Sequence, residues 1–408
     1  MSTVKLFMQN SGLEITNFDR YDICLSLFEP AQPFQFSLWN QIDTNQQDNP
    51  FSAWKLLQKE CRLGEQILFT IDDAPQLNGP ITTRKLVRSR EKAELIISGT
   101  DISGPAVDWD ADPRITIANK TLIDTLELLF EPLGIFMNLG VNPEISSKLV
   151  QGTNHRANRR NRTNSANNGD ENPPFIQGFV DHFRARPGEK FWQAAEELAR
   201  KHGVILWVSP DSDLNMSICI DLPNYNQSPV FQFTSKYNGL VATPESNVLN
   251  AEFTEDIRGV PTIIYSSGRG RRGDATATRI KQEVTNTELE SYPSVRNPLP
   301  PRPKWMNKPK YRTNSQAKSN AEKEMGNRMK DWRTYKVTVQ GHSQLCSDGI
   351  QRIYSINSMA RVYDQLYGIN EDMLIQNIQF SGSRSEGQLT HLTLGTKNSF
   401  QISNLAAD

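Results

Sequence analysis

One glycine pattern in the sequence is typical of nucleotide-binding proteins. Residues 268–273 read GRGRRG, match G-x-G-x-x-G and follow a predicted strand at residues 262–265. A dinucleotide fold needs this pattern to open a helix, so that backbone N–H groups and the helix dipole meet the pyrophosphate. The residues that follow, 275–284, are rich in Thr and partly alternate, which favours a strand. An exposed hairpin or a subunit-contact loop is therefore the stronger interpretation, and nucleotide binding is the weaker one.

An aspartate-rich stretch offers a second candidate, a calcium loop. Residues 108–113 read DWDADP. The EF-hand loop requires Gly at its sixth position for a sharp turn and Glu at its twelfth position as a bidentate ligand. Those positions hold Pro113 and Asn119, so we expect a capped turn here and not a metal site.

The other reactive side chains show no catalytic spacing. The histidines are His155, His182, His202, His342 and His391, and the cysteines are Cys24, Cys61, Cys219 and Cys346. They form neither a zinc-ligand pattern nor a C-x-x-C pair, G-x-S-x-G is absent, and no pair of carboxylates stands out. The cysteines fit reduced, partly buried thiols in a protein made in the cytosol. We therefore predict no catalytic residue, no cofactor-binding residue, no metal ligand and no enzymatic activity.

Composition narrows the class of protein. The 408 residues include 45 Lys and Arg against 46 Asp and Glu, a net charge of -1, which argues against a global attraction to nucleic acid or anionic membranes. The apolar fraction is about 40% when Gly is counted and Tyr is not, below the 45–50% of typical soluble domains, which favours several small domains. No apolar run approaches the ~20 residues of a membrane span, and we expect no signal peptide at the N-terminus.

Alternating apolar residues predict a strand-rich chain. The alternating rows are Ile23, Leu25 and Leu27; Phe34, Phe36 and Leu38; Ile67, Phe69 and Ile71; Leu95 and Ile97; and Tyr335, Val337 and Val339. Near the C-terminus, Ile378 and Phe380 lead into a turn at residues 382–387, and Leu392 and Leu394 follow it. This last pattern predicts a β-hairpin.

Four helices interrupt the strands. We predict them at residues 52–62 with Ser52 as the cap, from Thr121 to about residue 131 with a Thr121–Asp124 capping box, at 189–202, and at about 315–332.

Two segments have the composition of loops or linkers. Residues 151–174 are rich in Asn and Arg, which predicts a mobile loop. Residues 292–312 contain six prolines and six basic residues, which predicts an extended basic strap.

Four stretches in a characteristic order resemble the baseplate hub proteins of contractile phage tails, the gpP-like late proteins of the phage Mu type. They are an F-x-F strand (34–36) followed by GEQILF (64–69); GTDISGPAVD (99–108) with PLGI (132–135) after a helix; residues 188–206, which begin Gly-Glu and end GVIL; and the C-terminal region 362–394, with GI at 368–369, MLI at 373–375 and IQFS at 378–381. The chain differs from that family in having Thr100 where Arg is common, and in its segments 52–62 and 151–174.

The resemblance implies a homotrimer in which each subunit carries two tube-like domains, so that three subunits imitate six. The implied fold class is α+β, mainly β, with two tube-like β-barrel domains and small helix–strand subdomains. The expected division is 1–110, a first barrel with C-terminal strands as candidates to complete it; 111–178, a helix–strand subdomain with the loop 151–174; 179–291, a second helix–strand and β domain; 292–314, a Pro-rich basic linker arm; and 315–408, a helix with a C-terminal β-hairpin.

The implied function is that of a structural hub in a virion tail baseplate, made in the host cytoplasm, that adapts a six-fold tail tube to a three-fold central spike. Its partners would be its own copies, a tail tube protein, the central spike protein and other baseplate or wedge proteins, without a membrane span or sequence-specific nucleic-acid binding. The alternatives are a hub or trunk protein of a related contractile injection system or a non-contractile tail tip, then a nucleotide-binding enzyme using residues 268–273, and last a wall-degrading hydrolase.

Overall fold

The computed structural model describes residues 2–40, 50–88, 93–139, 179–202, 204–210, 215–239, 241–268, 280–287, 289, 302–307, 314–330 and 332–397. The strands in this part of the chain are β1 (Val4–Met8), β2 (Leu13–Ile15), β3 (Arg20–Ser26), β4 (Pro33–Asn40), β5 (Gln66–Ile71), β6 (Ala74–Arg88), β7 (Ala93–Thr100), β8 (Thr116–Thr121), β9 (Met137–Leu139), β10 (Phe179–Arg184), β11 (Ile205–Pro210), β12 (Met216–Asp221), β13 (Phe231–Ser235), β14 (Tyr237–Asn238), β15 (Val241–Ala242), β16 (Asn250–Glu255), β17 (Ile263–Gly268), β18 (Ile280–Thr285), β19 (Pro303–Asn307), β20 (Arg333–Gln340), β21 (Ser343–Leu345), β22 (Gln351–Ile353), β23 (Met359–Asp364), β24 (Ile369–Ser383) and β25 (Gly387–Thr396). The helices are α1 (Pro50–Glu60), α2 (Gly104–Asp108), α3 (Leu122–Phe130), α4 (Phe191–His202) and α5 (Asn314–Met329), with a 3-10 turn at Glu131–Leu133.

A 13-stranded sheet forms the body of the molecule. Its path runs β16-β20-β25-β24-β3-β4-β7-β6-β5-β1-β2, and β13 joins it through β23, which pairs with β24. Two long strands connect its parts. β6 pairs first with β5 and then with β7, and β24 pairs first with β23 and then with β3. Because β24 is near the C-terminus and β3 near the N-terminus, the two ends of the chain share one sheet.

The rows of alternating apolar residues predicted from the sequence face the core of this sheet. Ile67, Phe69 and Ile71 of β5 are fully buried, as are Tyr335 of β20 and Phe380 of β24. One continuous apolar cluster includes buried side chains from β1, β3, β4, β5, β7, β13, β20, β23, β24 and β25. The predicted α+β, mainly β fold is therefore confirmed.

Closed barrels are not formed by strand pairing within the described residues, since the sheet path ends at β16 and β2. The gap between β13 and β16 is crossed by an irregular segment. The Thr243 and Asn247 N–H groups donate to carbonyls of Lys236 and Thr234 beside β13, and the Leu249 N–H donates to Thr338 of β20. The two barrel domains thus stay a prediction.

A separate helix–strand unit packs α3 and α4 together beside the small sheet β11-β12-β9. The predicted capping box is present, because the Asp124 N–H donates to Thr121 Oγ1 at 3.1 Å and the Thr121 N–H donates to the Asp124 carboxylate at 3.3 Å. Gly134 ends the 3-10 turn with φ +66°, a conformation that glycine adopts without steric cost.

A third unit combines the sheet β18-β17-β19 with α5. Ala321, Met325, Met329 and Trp332 are buried together, as the sequence predicted for this helix. Residues 303–307 of the predicted basic strap form β19, which pairs in parallel with β17 of the same chain. The described part of the strap is thus extended, as expected, but belongs to a sheet of its own subunit.

Two predicted helices begin at other residues than expected. α1 begins at Pro50, so Ser52 lies inside the helix and is not its cap; Pro suits a first helical position because its missing N–H would have no intrahelical partner there. α4 begins at Phe191, two residues after Glu189, whose carboxylate instead accepts the Arg186 N–H at 2.7 Å.

The predicted loop 151–174 lies outside the described residues. None of the described helices has the length and apolar character needed to cross a membrane.

Candidate functional site

The glycine pattern lies next to an antiparallel β-ribbon. Gly268, the last residue of β17, pairs with Ile280, the first residue of β18, and residues 269–279 between them lie outside the described part of the chain. The predicted strand within 275–284 is thus confirmed for residues 280–284, and it continues to Thr285. A dinucleotide site would require a helix to follow β17 and a parallel strand to follow the helix. The observed antiparallel pairing does not fit that arrangement.

The aspartate-rich stretch is held by ion pairs and turns. The Arg114 guanidinium donates to both carboxylate oxygens of Asp112, and this bonding lowers the pKa of Asp112 to about 2. Lys190 contacts Asp110 at 2.7 Å. No cluster of three or more metal-capable side chains occurs among the residues that the structure describes.

The histidines and cysteines are scattered through the fold. His342 is fully buried, shares hydrogen bonds with Tyr21 Oη at 2.7 Å and Thr390 Oγ1 at 2.9 Å, and its pKa is lowered by burial to about 4. His182 lies on β10, His202 ends α4, His391 lies on β25, and His155 is outside the described residues. All four cysteines are free thiols, and burial raises the pKa of Cys61 to about 12, so this thiol is a poor nucleophile.

A shallow cleft of about 580 Å³ lies on the polar face of the main sheet. Polar side chains that line it are bonded: Gln379 donates to both oxygens of the neighbouring Asp22, and Thr338 shares a hydrogen bond with His391 at 2.9 Å. Cys24 lines this cleft, and burial followed by the nearby Asp22 charge raises its pKa to about 11. These groups form a mutually bonded polar surface without a nucleophile and base pair.

A second cleft, of about 550 Å³, lies at the junction of α4, α5 and the main sheet. Its floor includes Leu27, Trp192 and Trp332, and three arginines stand around it. Each arginine has an acidic partner: Arg200 contacts Glu196, Arg258 contacts Asp256, and Arg328 contacts Glu324. The charges of these three arginines are therefore already balanced within the chain.

The edge of β13 is covered by side-chain amides. Gln344 accepts the Gln232 N–H at 2.9 Å and donates to the Gln232 carbonyl at 2.7 Å. Asn247 accepts the Thr234 N–H at 2.8 Å and donates to the same Gln232 carbonyl at 2.8 Å. A carboxamide carries the same donor and acceptor as a peptide group, so the two side chains replace a neighbouring strand.

The N-terminus is held in the same way. Gln388 of β25 accepts the Ser2 N–H at 3.1 Å and donates to the Ser2 carbonyl at 2.7 Å. These amides carry no signal in the sequence, because an isolated Asn or Gln has no characteristic spacing and its backbone partner lies over a hundred residues away in two of the three cases.

The family-like stretch 99–108 contains a buried carboxylate. Asp101 Oδ1 accepts bonds from the Ser103 N–H at 2.9 Å and Oγ at 2.6 Å, and Ser103 Oγ in turn accepts the Ala31 N–H at 2.7 Å. Burial raises the pKa of Asp101 to about 6 against the lowering effect of the Ser103 bonds. This cluster connects the loop before β4 to the turn between β7 and α2, so it is a structural joint.

Comparison with known proteins points to phage tails. The sequence model of one family, described as the fourth domain of the Mu phage baseplate assembly protein GpP, matches residues 313–403. No curated protein matches the chain. The predicted resemblance to Mu-type baseplate proteins is confirmed by this match.

Solved structures extend the likeness to the whole chain. The 43 kDa tail protein of prophage MuSo2 from Shewanella oneidensis is 17% identical, with a TM-score of 0.70 over 98% of this chain and 100% of that one. A tail protein from Neisseria meningitidis MC58 is 19% identical, with a TM-score of 0.69 over 98% of both chains. Prophage tail protein gp18 from Listeria monocytogenes EGD-e is 13% identical, with a TM-score of 0.53 over 97% of this chain and 95% of that one. At these identities the likeness establishes a shared fold.

Proposed function

We propose that this chain is a structural hub protein of a contractile phage tail baseplate. The observation that carries the proposal is the match of residues 313–403 to the fourth domain of a Mu phage baseplate assembly protein, within a fold shared along its whole length with prophage tail proteins. The chemistry agrees with a non-enzymatic role, because the reactive side chains of the described residues are paired, buried or far apart.

In the proposed assembly three copies form a ring, and each copy contributes two tube-like β domains. One domain is the β1–β7 part of the main sheet, which β24 extends, and the other is built from β13, β16, β20 and β23–β25. The irregular segment 243–249 supports this division, since it contacts β13 on one side and β20 on the other. Three subunits would then present six similar domains to a six-fold tube and three-fold symmetry to a spike.

The proposed role places the protein in the virion tail, with a tail tube protein, a spike protein and other baseplate proteins as partners. Sheet edges suit such contacts because they offer unpaired backbone groups. Within a subunit the β13 edge is covered by amides, so we propose that neighbours meet elsewhere on the surface.

The test is the absolute mass of the purified full-length protein by light scattering over a dilution series, combined with electron-microscopic class averages. We expect a mass near three times 46.2 kDa and a three-fold ring. A protein that stays monomeric at every concentration, alone and with purified tail tube and spike proteins, would contradict the hub proposal.

A further inference from the structure

The sheet β18-β17-β19 has one face against α5, and none of the described elements covers its opposite, open face. Ile264 and Ser266 of β17 are buried on the α5 side. On the open face the strand register aligns Glu283, Tyr265 and Trp305 in one row. We call this open face the tryptophan face.

Trp305 is the dominant feature of the tryptophan face. The residue is 73% exposed, more than Trp109 at 58%, while Trp192, Trp207 and Trp332 are buried. Its ring stacks on Tyr265 with a centroid distance of 4.5 Å and an interplanar angle of 24°. The stacking fixes an exposed aromatic ring in one orientation, which lowers the entropy cost of binding, and Trp and Tyr are among the residues most enriched in binding hot spots.

Charge is segregated between this unit and the rest of the chain. Residues 256–332 contain 16 Lys and Arg against 8 Asp and Glu, a net charge of +8, and because the whole chain carries -1 the other residues carry -9. On the tryptophan face Lys281 is exposed beside the aromatic row and has no acidic partner among the described residues.

The opposite charge is concentrated in the helix–strand unit. Residues 101–131 contain seven acidic and two basic residues. Asp110 and Asp112 are neutralised by Lys190 and Arg114. On α3 and the turn after it, Glu127 and Glu131 are exposed on either side of the exposed Leu128 and have no basic partner in the described part of the chain.

We propose that the tryptophan face of one copy docks on the acidic α3 face, Glu127, Leu128 and Glu131, of a second copy. Trp305 and Tyr265 would cover Leu128, and Lys281 would meet Glu127 or Glu131. The two surfaces are different patches of the same chain, so the contact is heterologous, and its repetition forms a ring where the rotation closes after three copies. The opposite net charges would also steer the encounter. This inference rests on the proposed homotrimer and names its contact surfaces.

The test uses full-length protein and measures the subunit concentration at which the assembly dissociates, at low and high salt. We expect Trp305→Ala and the pair Glu127→Lys, Glu131→Lys each to raise that concentration at least tenfold. Adding Lys281→Glu to the pair Glu127→Lys, Glu131→Lys should restore it to within about threefold of the unmodified protein, because the ion pair is re-formed with reversed charges whichever glutamate Lys281 meets. Leu86→Ala, which removes an exposed leucine on β6, is the matched control and should have no effect.

The outcomes separate this inference from the hub proposal. A stable assembly that is unaffected by Trp305→Ala, or by the α3 charge reversal, overturns the docking surfaces and leaves the trimer intact. A chain that never assembles overturns both. Binding of a single-stranded 30-nucleotide oligonucleotide that Trp305→Ala abolishes, with unchanged assembly, would assign the tryptophan face to nucleic acid and overturn the inference.

Discussion

At the scale of single residues, two buried ionisable groups make the stability of the fold depend on pH in opposite directions. His342 is held neutral between Tyr21 and Thr390, and burial lowers its pKa from about 6.5 to about 4. Asp101 is held between Ser103 and the chain near Gln32, and burial raises its pKa from 3.8 to about 6. In both cases the low-dielectric surroundings disfavour the charged form.

For His342, the unfolded chain binds a proton near pH 6.5 that the folded protein accepts only near pH 4. Stability is therefore lost as pH falls through this interval, by up to about 3 kcal/mol. We expect His342→Gln to lose less stability between pH 7 and pH 5 than the unmodified protein, measured by urea unfolding at each pH. His182→Gln changes an exposed histidine of β10 and is the control. If the His342 variant and the unmodified protein lose equal stability between pH 7 and pH 5, then His342 does not cause the loss of stability at low pH.

For Asp101, the sign is reversed, because the folded protein holds the proton more tightly than the unfolded chain. The stabilisation is complete below pH 3.8 and is lost as pH rises through 6, a change of about 3 kcal/mol. We expect Asp101→Asn to remove this loss, so that the variant gains stability relative to the unmodified protein on going from pH 4.5 to pH 7.5. Asp108→Asn changes an exposed position of α2, and this variant should show the same change in stability between pH 4.5 and pH 7.5 as the unmodified protein.

At the scale of elements, the molecule protects a strand edge with side chains. Gln344 and Asn247 together satisfy the N–H groups of Gln232 and Thr234 and the carbonyl of Gln232 on β13. Without them the edge would present unpaired backbone groups, which are a template for pairing with other chains.

We expect the double variant Asn247→Ala, Gln344→Ala to expose this edge. Each lost hydrogen bond is worth about 1 kcal/mol, so exchange of the Gln232 and Thr234 amide protons should become about five- to tenfold faster. The measurement is native-state hydrogen exchange by NMR or mass spectrometry. Gln351→Ala removes a carboxamide that donates to the Ser343 hydroxyl and has no bond to β13 in the described part of the chain, and it should leave these two amides unaffected. Unchanged exchange in the double variant would mean that the amides do not protect the edge.

At the scale of the whole molecule, the shared strand β24 makes the two ends of the chain depend on each other. Residues 377–383 of β24 pair with residues 20–26 of β3, more than 350 positions earlier. Phe380 lies opposite Ile23 in this register, and both are fully buried. The C-terminal region that matches the baseplate family therefore completes the N-terminal part of the sheet.

We expect Phe380→Ala to destabilise both ends together, by about 3–5 kcal/mol, because it leaves a cavity between them. In hydrogen-exchange measurements, the amides of β3 and of β24 should both exchange faster, and by the same factor. Leu345→Ala, at an exposed position of β21, is the control. Retained protection of β3 when β24 exchanges freely would show that the N-terminal part is stable without the C-terminal strands.

The sequence alone determined the features that depend on local spacing. The alternation in Ile67, Phe69 and Ile71, the Thr121–Asp124 box and the β24–β25 hairpin follow from backbone periodicity and from groups a few residues apart. The family resemblance rests on the same kind of local pattern.

Which elements are neighbours follows from the folded chain and not from any local stretch of sequence. The β24–β3 pairing, the parallel entry of β19 beside β17, the amide cover on β13 and the stacking of Trp305 on Tyr265 join residues that are from about ten to several hundred positions apart. Polar and aromatic side chains satisfy such contacts in many alternative arrangements, and the choice among them is made by the packing of the whole core, which no local window of sequence contains.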